Sequence, residues 1–364
     1  MIKQKEITLL SITLIITKML LVCPQGLAEN SAQAAWIEAM YVSLAAALIV
    51  FFTNKIYPKK LDVIDLAQRA GGKGLKILAG IIVILILFVN LTGVMRIFPE
   101  SVKIILLQDT NIEIISAAFA LTAAAAAYLG INAVLRTNYY FIIICGFVFL
   151  LFLIFLSPHC NINNIVPILG NGAKSIFLYG FNSIYIFSDI LIVNLMAPYF
   201  ENADKMKKSM LQSTVISGII VTVIMLVYCL SYEYPESSQF LLPVYQLSRL
   251  IHISGFFSRF EAFFQFVWSI LVLIYASVYI YMLSSVVMKT FSLKFRKPLL
   301  PLAVILSLAA AFAADSVSEA VRLGKVFSNA EYPVVFLLPI VLSLMVLQRK
   351  KREFKERTEH NEGS

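Results

Sequence analysis

The chain has 364 residues, of which 60% are hydrophobic and only 14% are charged, and its mean hydropathy is +0.84. A soluble domain is typically about half apolar and about a quarter charged, so this composition excludes an ordinary soluble protein. Because the apolar runs are continuous rather than alternating, they predict membrane-crossing helices and not barrel strands. The net charge of +9 also fits a nucleic-acid-binding protein, and the placement of the basic residues along the chain decides between that class and a membrane protein.

About ten apolar runs follow one another along the chain. The stretch 240–257 is also apolar, but Pro243, Arg249, His252 and Gly255 interrupt it, so we predict a re-entrant or interfacial segment there. The fold class is therefore predicted to be all-α, a polytopic membrane protein with about ten transmembrane helices. A span needs about 20 mostly apolar residues, and this criterion predicts spans at residues 7–27, 35–54, 75–97, 112–130, 138–156, 174–198, 210–231, 260–287, 299–314 and 332–347.

The basic residues are distributed asymmetrically between the loops on the two sides of the membrane. With a cytoplasmic N-terminus, most of the 30 Lys and Arg residues fall on inner segments. The positive-inside rule therefore predicts that both termini are cytoplasmic, and the partner that it indicates is the lipid bilayer rather than nucleic acid. We divide the chain into a transmembrane domain, residues 1–348, and a basic cytoplasmic tail, residues 349–364. The tail is interpreted as a topology anchor, with a specific lipid or partner site as the alternative.

The sequence contains no pattern typical of catalysis or of a bound cofactor. Walker loops, Rossmann glycines, HExxH and the nucleophile elbow are all missing. The four cysteines have no paired metal-ligand spacing, and His159 and Cys160 begin what we predict to be a plain polar loop. We therefore expect neither an enzyme nor a metal or cofactor site.

Two charged residues are predicted to lie inside the membrane, Lys18 in the first span and Asp189 in the sixth. Each costs roughly 2.5 to 3.5 kcal/mol on insertion scales, so each needs a partner, a cavity or a function. Both spans also contain residues that weaken a helix, and broken helices near the midplane can hold a substrate or an ion. We predict that Lys18 and Asp189 face a shared cavity, with Thr17 and Ser188 as further ligand-binding residues. The alternative is that Lys18 snorkels, or that each charge has a separate structural partner.

Five segments carry a family resemblance. Residues 33–36 (Gln-Ala-Ala-Trp) open the second span, residues 96–100 (Arg-Ile-Phe-Pro-Glu) close the third, and residues 107–110 (Leu-Gln-Asp-Thr) follow it. The most specific run is residues 243–251 (Pro-Val-Tyr-Gln-Leu-Ser-Arg-Leu-Ile) with residues 258–268, which begin Ser-Arg-Phe-Glu and end in Trp. Together they resemble the B subunit of the GerA-type spore germinant receptors, the spore germination permease family of the amino acid/polyamine/organocation transporter superfamily.

The resemblance implies a five-plus-five inverted-repeat transporter fold, with the substrate site between the first and sixth spans. It also implies a germinant-receptor subunit in the spore inner membrane or cell membrane, which binds a small nutrient, an amino acid in particular, and triggers germination with A and C subunits. A secondary amino-acid permease needs the same site, so the sequence leaves that alternative open, as well as a purely structural assembly subunit.

The site positions depart from the family pattern in ways that bear on ions and ligand. Asp189 stands where the family has glutamate, and Lys18 lies where small residues are usual. A lysine there supplies the positive charge that sodium supplies in related transporters, or it meets the carboxylate of the ligand. Either role predicts binding that is independent of sodium.

Overall fold

The structure, a computed structural model, describes residues 3–57, 60–251, 260–314 and 316–362. Within these residues the chain is helical, with short loops and single helical turns between the long helices. Its α-helices are α1 (Gln4–Ser31), α2 (Ala35–Ile56), α3 (Val63–Ile105), α4 (Ile112–Leu129), α5 (Ile131–Leu156), α6 (Ile190–Leu195), α7 (Ala203–Ser231), α8 (Pro243–Arg249), α9 (Phe260–Thr290), α10 (Leu299–Phe312) and α11 (Val317–Glu362).

The membrane-spanning helices agree with the hydropathy of the sequence. In the described part of the chain, eight helical stretches are long and apolar enough to cross a membrane, and one of these, Cys23–Ile56, joins the end of α1 to α2. The apolar helix α10 is shorter, with 14 residues. When α1 and α2 are counted separately and α10 is included, the predicted number of about ten spans is confirmed. The protein is an integral membrane protein.

Helix α3 is longer than the predicted third span because a capped segment precedes the apolar run. The Asp62 side chain accepts hydrogen bonds from the backbone N–H groups of Ile64 and Asp65, at 3.0 and 2.9 Å, and so satisfies two donors of the first turn. The helix is then interrupted at Gly71 and Gly72, where Gly72 has a φ of 76° that favours glycine. The apolar part of α3 follows this break.

The sixth span, Ser175–Leu195, is a broken helix. It begins as a π-helical turn at Ser175–Tyr179, continues as a 3₁₀-helix at Gly180–Phe187 and ends as α6. Irregular backbone is tolerated at membrane depth only where protein buries it or where it lines a cavity. The interruption predicted for this helix therefore takes the form of a change of helix type. Ser188 and Asp189 lie between the end of the 3₁₀-helix and the start of α6.

Helix α9 forms the centre of the bundle, packing against α3, α4, α5, α10 and α1. In an apolar stretch of 18 residues within α9, 78% of the residues are buried, compared with 22% in the corresponding stretch within Ile131–His159, the span that includes α5. The outward faces of the peripheral helices carry large apolar side chains, among them Leu121, Phe147 and Ile305, which are more than half exposed. In a bilayer these faces contact lipid.

Two further predicted segments can be placed in part. The stretch 240–257 contains α8, whose seven residues are too short to cross the membrane; residues 252–259, including Arg259, lie outside the described residues. At the other end, α11 continues through Glu362, so the predicted tail, residues 349–364, begins within this helix.

Candidate functional site

Lys18, midway along α1, is held by groups from other elements. Its ammonium donates a hydrogen bond to Ser188 Oγ at 2.6 Å and forms an ion pair with Glu331 Oε1 of α11 at 3.3 Å. The Tyr185 ring centroid is 5.6 Å from the same nitrogen. Asn90 of α3 donates to the same Glu331 oxygen at 3.0 Å. The side chains of Lys18 and Glu331 are 11% and 3% exposed, so this is a buried ion pair whose geometry and added hydrogen bonds offset the loss of hydration.

The ion pair lies in the wall of a cavity of about 100 Å³, hereafter the polar cavity. This volume suffices for roughly three water molecules or for a ligand of similar size. Glycines on facing helices, Gly93 of α3 and Gly324 of α11, contribute to the wall, and a Cβ atom added at either would meet no atom within 4 Å. The polar lining includes an ammonium, a carboxylate, an amide and two phenols, from Lys18, Glu331, Asn90, Tyr185 and Tyr275, together with Ser328 and a second lysine, Lys325.

Asp189 lies behind one wall of the polar cavity. Its Oδ1 accepts hydrogen bonds from the Tyr279 hydroxyl and, at 3.3 Å, from the Tyr275 hydroxyl, both on α9. The two tyrosine rings are stacked with their centroids 4.4 Å apart. Tyr275 lines the cavity whereas Asp189 does not, so this carboxylate is one side chain removed from it. The second carboxylate oxygen, Oδ2, is buried and has no hydrogen-bond partner among the described residues.

The four predicted site residues are therefore brought together to different degrees. Lys18 and Ser188 are in direct contact, and Lys18 lines the polar cavity. The ion-pair partner of Lys18 is Glu331 rather than Asp189, whose contacts come from α9. Thr17 is fully buried, does not line the cavity, and its hydroxyl has no hydrogen-bond partner within the described residues. Ligand binding by these residues stays a prediction.

A second polar cluster joins the end of α1 to the sixth span. Glu38 of α2 is fully buried, and its carboxylate accepts hydrogen bonds from Asn30 Nδ2 at 2.8 Å and from the hydroxyls of Ser31 and Ser183. A Cβ atom at Gly180 would lie 2.8 Å from Glu38 Cδ, so glycine permits this close approach. The cluster fixes the end of α1 relative to the helix that carries Ser188.

A second, exposed ion pair adjoins the polar cavity. Lys325 of α11 lines the cavity and pairs with Glu29 near the end of α1. Their side chains are 41% and 42% exposed, so water screens the attraction and its contribution to stability is small. The pair nevertheless links the same two helices that the buried pair of Lys18 and Glu331 links.

Sequence reasoning missed Glu331, Asn90 and the tyrosines of the site. Glu331 directly precedes the predicted tenth span, residues 332–347, which puts it at the membrane interface, whereas α11 begins at Val317 and places it well inside the helix. Asn90 is a polar residue within an otherwise apolar run, and that signal was available. The tyrosines carry no local signal, because aromatic residues are common in any membrane helix.

Comparisons with known proteins identify the fold and the family. A solved structure of Mhp1, a nucleobase-cation-symport-1 family transporter, in a closed conformation with bromovinylhydantoin bound, matches with a TM-score of 0.61 and 12% identity. The match covers 84% of this chain and 70% of that one, and it confirms the predicted transporter fold. The comparison with curated proteins found no match. A family model described as spore germination protein (spore permease) matches residues 1–318, so the chain belongs to the spore germination protein family and is a permease-like membrane protein.

Proposed function

We propose that this protein is the nutrient-binding membrane subunit of a spore germinant receptor, and that its ligand is a small amino acid held in the polar cavity. The observation that carries the proposal is the buried pair of Lys18 and Glu331, two opposite charges 3.3 Å apart in a cavity wall inside a membrane protein. Intramembrane charges of this kind are expensive to bury and are commonly functional.

The charges of the cavity suit a zwitterion. A ligand carboxylate binds the Lys18 ammonium while the ligand ammonium binds the Glu331 carboxylate, so one buried ion pair is exchanged for two and neither protein charge is left unpaired. The volume of about 100 Å³ favours the smallest amino acids over those with long side chains. Ser188 and Asn90, which already donate to or accept from these charges, orient them.

Ligand binding between Lys18 and Glu331 changes the distance between two helices. Lys18 belongs to α1 and Glu331 to α11, so a ligand inserted between their charges favours an arrangement in which the helices are further apart. A ligand shifts such an equilibrium only by its difference in affinity for the two states. We propose that this shift is passed to A and C subunits in the spore inner membrane, with both termini in the cytoplasm.

A secondary amino-acid permease is the second candidate, and the likeness to a solved transporter with a bound ligand favours it. In a permease the same cavity opens alternately to each side of the membrane. Uptake of a labelled amino acid into proteoliposomes separates the two functions, because a receptor binds the amino acid without accumulating it.

The proposal is tested by closing the polar cavity without touching its charges. Gly93→Leu places a side chain where an added Cβ meets open space, and Gly74→Leu is a matched control on the same helix, also with no atom within 4 Å but away from the cavity. Spores complemented with Gly93→Leu are expected to lose the response to amino acids at normal protein levels, and those with Gly74→Leu to keep it. An unchanged response in Gly93→Leu contradicts the proposal.

The nutrient response is also expected to be independent of sodium, because Lys18 supplies a fixed positive charge at the site. Replacing sodium in the germination medium by potassium should leave the rate and the nutrient preference unchanged. A response that requires sodium refutes this role of Lys18.

A further inference from the structure

A second cavity, of about 250 Å³, lies among α1, α5, α7, α8 and α9, and we name it the apolar slot. It is lined by aliphatic and aromatic side chains together with a glycine and a cysteine, and within the described part of the chain no charged residue contributes to its wall. Protein interiors are close-packed, with few voids larger than a water molecule. An apolar slot of this size is therefore expected to be filled by an apolar group from outside the chain.

The slot lies behind the helix that carries the candidate site. Its lining residues on α1 are Leu9, Ile12, Ile16 and Leu20. With 3.6 residues per turn, these four share one face of α1, and that face is opposite to Lys18. The polar cavity and the apolar slot thus contact the same helix from its two sides.

The slot is exposed to lipid at Gly146 of α5, where no side chain covers it. Gly146 lines the slot and is exposed, and a Cβ atom added to it would meet nothing within 4 Å. Ile143, Phe147 and Leu150, on the outward face of the same helix, are each about 60% exposed, so hydrocarbon surrounds the opening in a bilayer. At this depth the molecules that reach the opening are the acyl chains of lipids.

The length of the slot matches one acyl chain. The lining from Leu9 to Leu20 spans 11 residue-to-residue steps of helix, or about 16 Å along its axis. Half of the hydrocarbon core of a bilayer, the depth that the chains of one leaflet fill, is about 15 Å. A single chain lying along α1 therefore fills the slot from end to end.

We propose that the apolar slot is a lipid-binding site that holds one acyl chain of a membrane phospholipid against the back of α1. The chain enters beside Gly146 and restores the van der Waals contacts that the lining otherwise lacks. Because it packs on the face of α1 opposite Lys18, it holds in place the helix on which the buried ion pair depends. The bilayer becomes in this way a structural partner of the site.

Trp268 provides the probe, because it lines the slot and the chain has only two tryptophans. In a Trp36→Phe background, the fluorescence of the protein reports Trp268, which is 5% exposed and so shielded from lipid that does not enter the slot. The protein is reconstituted in phosphatidylcholine whose acyl chains are brominated midway, since bromine quenches tryptophan on contact. We expect strong quenching in this parent, loss of most of it in Gly146→Leu, which closes the opening, and full quenching in Gly93→Leu, the same substitution in the polar cavity.

A second variant keeps the test independent of how well Gly146→Leu folds. Ile16→Phe fills the slot from α1 and is expected to give the same loss of quenching. The proposal is overturned if Trp268 is not quenched in the parent, or if it is quenched equally in the slot-filling variants and in Gly93→Leu. The measurement contains no nutrient, so its failure leaves the proposed nutrient site untouched, and failure of the germination test leaves the slot untouched.

Discussion

Neutralising Glu331 tests the contribution of the buried ion pair between Lys18 and Glu331. In Glu331→Gln the side chain keeps its size and an oxygen that accepts from Asn90, but the Lys18 ammonium loses the carboxylate that lies 3.3 Å away. The ammonium keeps the hydrogen bond to Ser188 and the Tyr185 ring at 5.6 Å, which carry no charge, and the electrostatic attraction of Asp189, which makes no ion-pair contact with it.

The magnitude follows from the distance and the burial of the pair. Two unit charges 3.3 Å apart attract by about 5 kcal/mol at an effective dielectric constant of about 20. Removing one partner of a buried pair typically costs about 3–5 kcal/mol, because the other charge stays buried without compensation. We expect this loss for Glu331→Gln and a similar one for Lys18→Met and for Glu331→Leu, the two single variants of the cycle. The double variant Lys18→Met/Glu331→Leu removes both charges and is expected to unfold close to the wild type.

The assay is a double-mutant cycle on the purified protein, unfolded reversibly in mixed micelles by increasing amounts of a denaturing detergent. The expected coupling between the two positions is several kcal/mol, well above the roughly 0.5 kcal/mol within which independent sites add. Losses that simply add in the double variant would refute the ion pair as the interaction that holds α1 to α11 at this depth.

Two further predictions concern the packing of α3. Gly80→Ala is expected to lower the free energy of unfolding by about 1–3 kcal/mol, because the added Cβ overlaps Thr290 of α9. Gly74→Ala, where the added Cβ has no atom within 4 Å, should be neutral or slightly stabilising. Equal effects of the two variants in the same unfolding assay would contradict the close packing of α3 on α9 at Gly80. Asp62→Ala removes both the helix cap and the ion pair with Lys289, whereas Asp62→Asn removes the ion pair but keeps the cap. The alanine variant should therefore be less stable than the asparagine variant by about 0.5–2 kcal/mol. Equal stabilities of the two variants would show that the cap contributes nothing.

The spans were predictable because membrane helices leave a strong local signal. A run of about 20 apolar residues is typical of a membrane-crossing helix and rare in soluble proteins, and α2, α4 and α7 lie where hydropathy places them. The break in the sixth span was predictable in kind from Gly180 and its polar neighbours. Its form, with a π-helical turn followed by a 3₁₀-helix, depends on packing against α2 and α1 that no local pattern contains.

The site was predictable in part, because only local signals can be read from the sequence. A charge in an apolar run is conspicuous, so Lys18 and Asp189 were found from the sequence. Their partners were not, because Glu331 and Tyr279 are distant in the chain and their pairing is a property of the tertiary structure. The hydropathy boundary of the last span also hid Glu331, since polar residues in the first part of α11 lower the apolar signal there although the helix continues.

Direct binding of amino acids to the purified protein is the measurement that tests the central claim most directly. It compares the wild type with Lys18→Met/Glu331→Leu, a variant expected to be folded but without the buried charge pair of the polar cavity. The account predicts that small zwitterionic amino acids bind the wild type and raise its stability by mass action, and that the double variant binds none of them although its stability is normal. Equal binding by the two proteins would contradict the account, because the nutrient would then be held without Lys18 and Glu331.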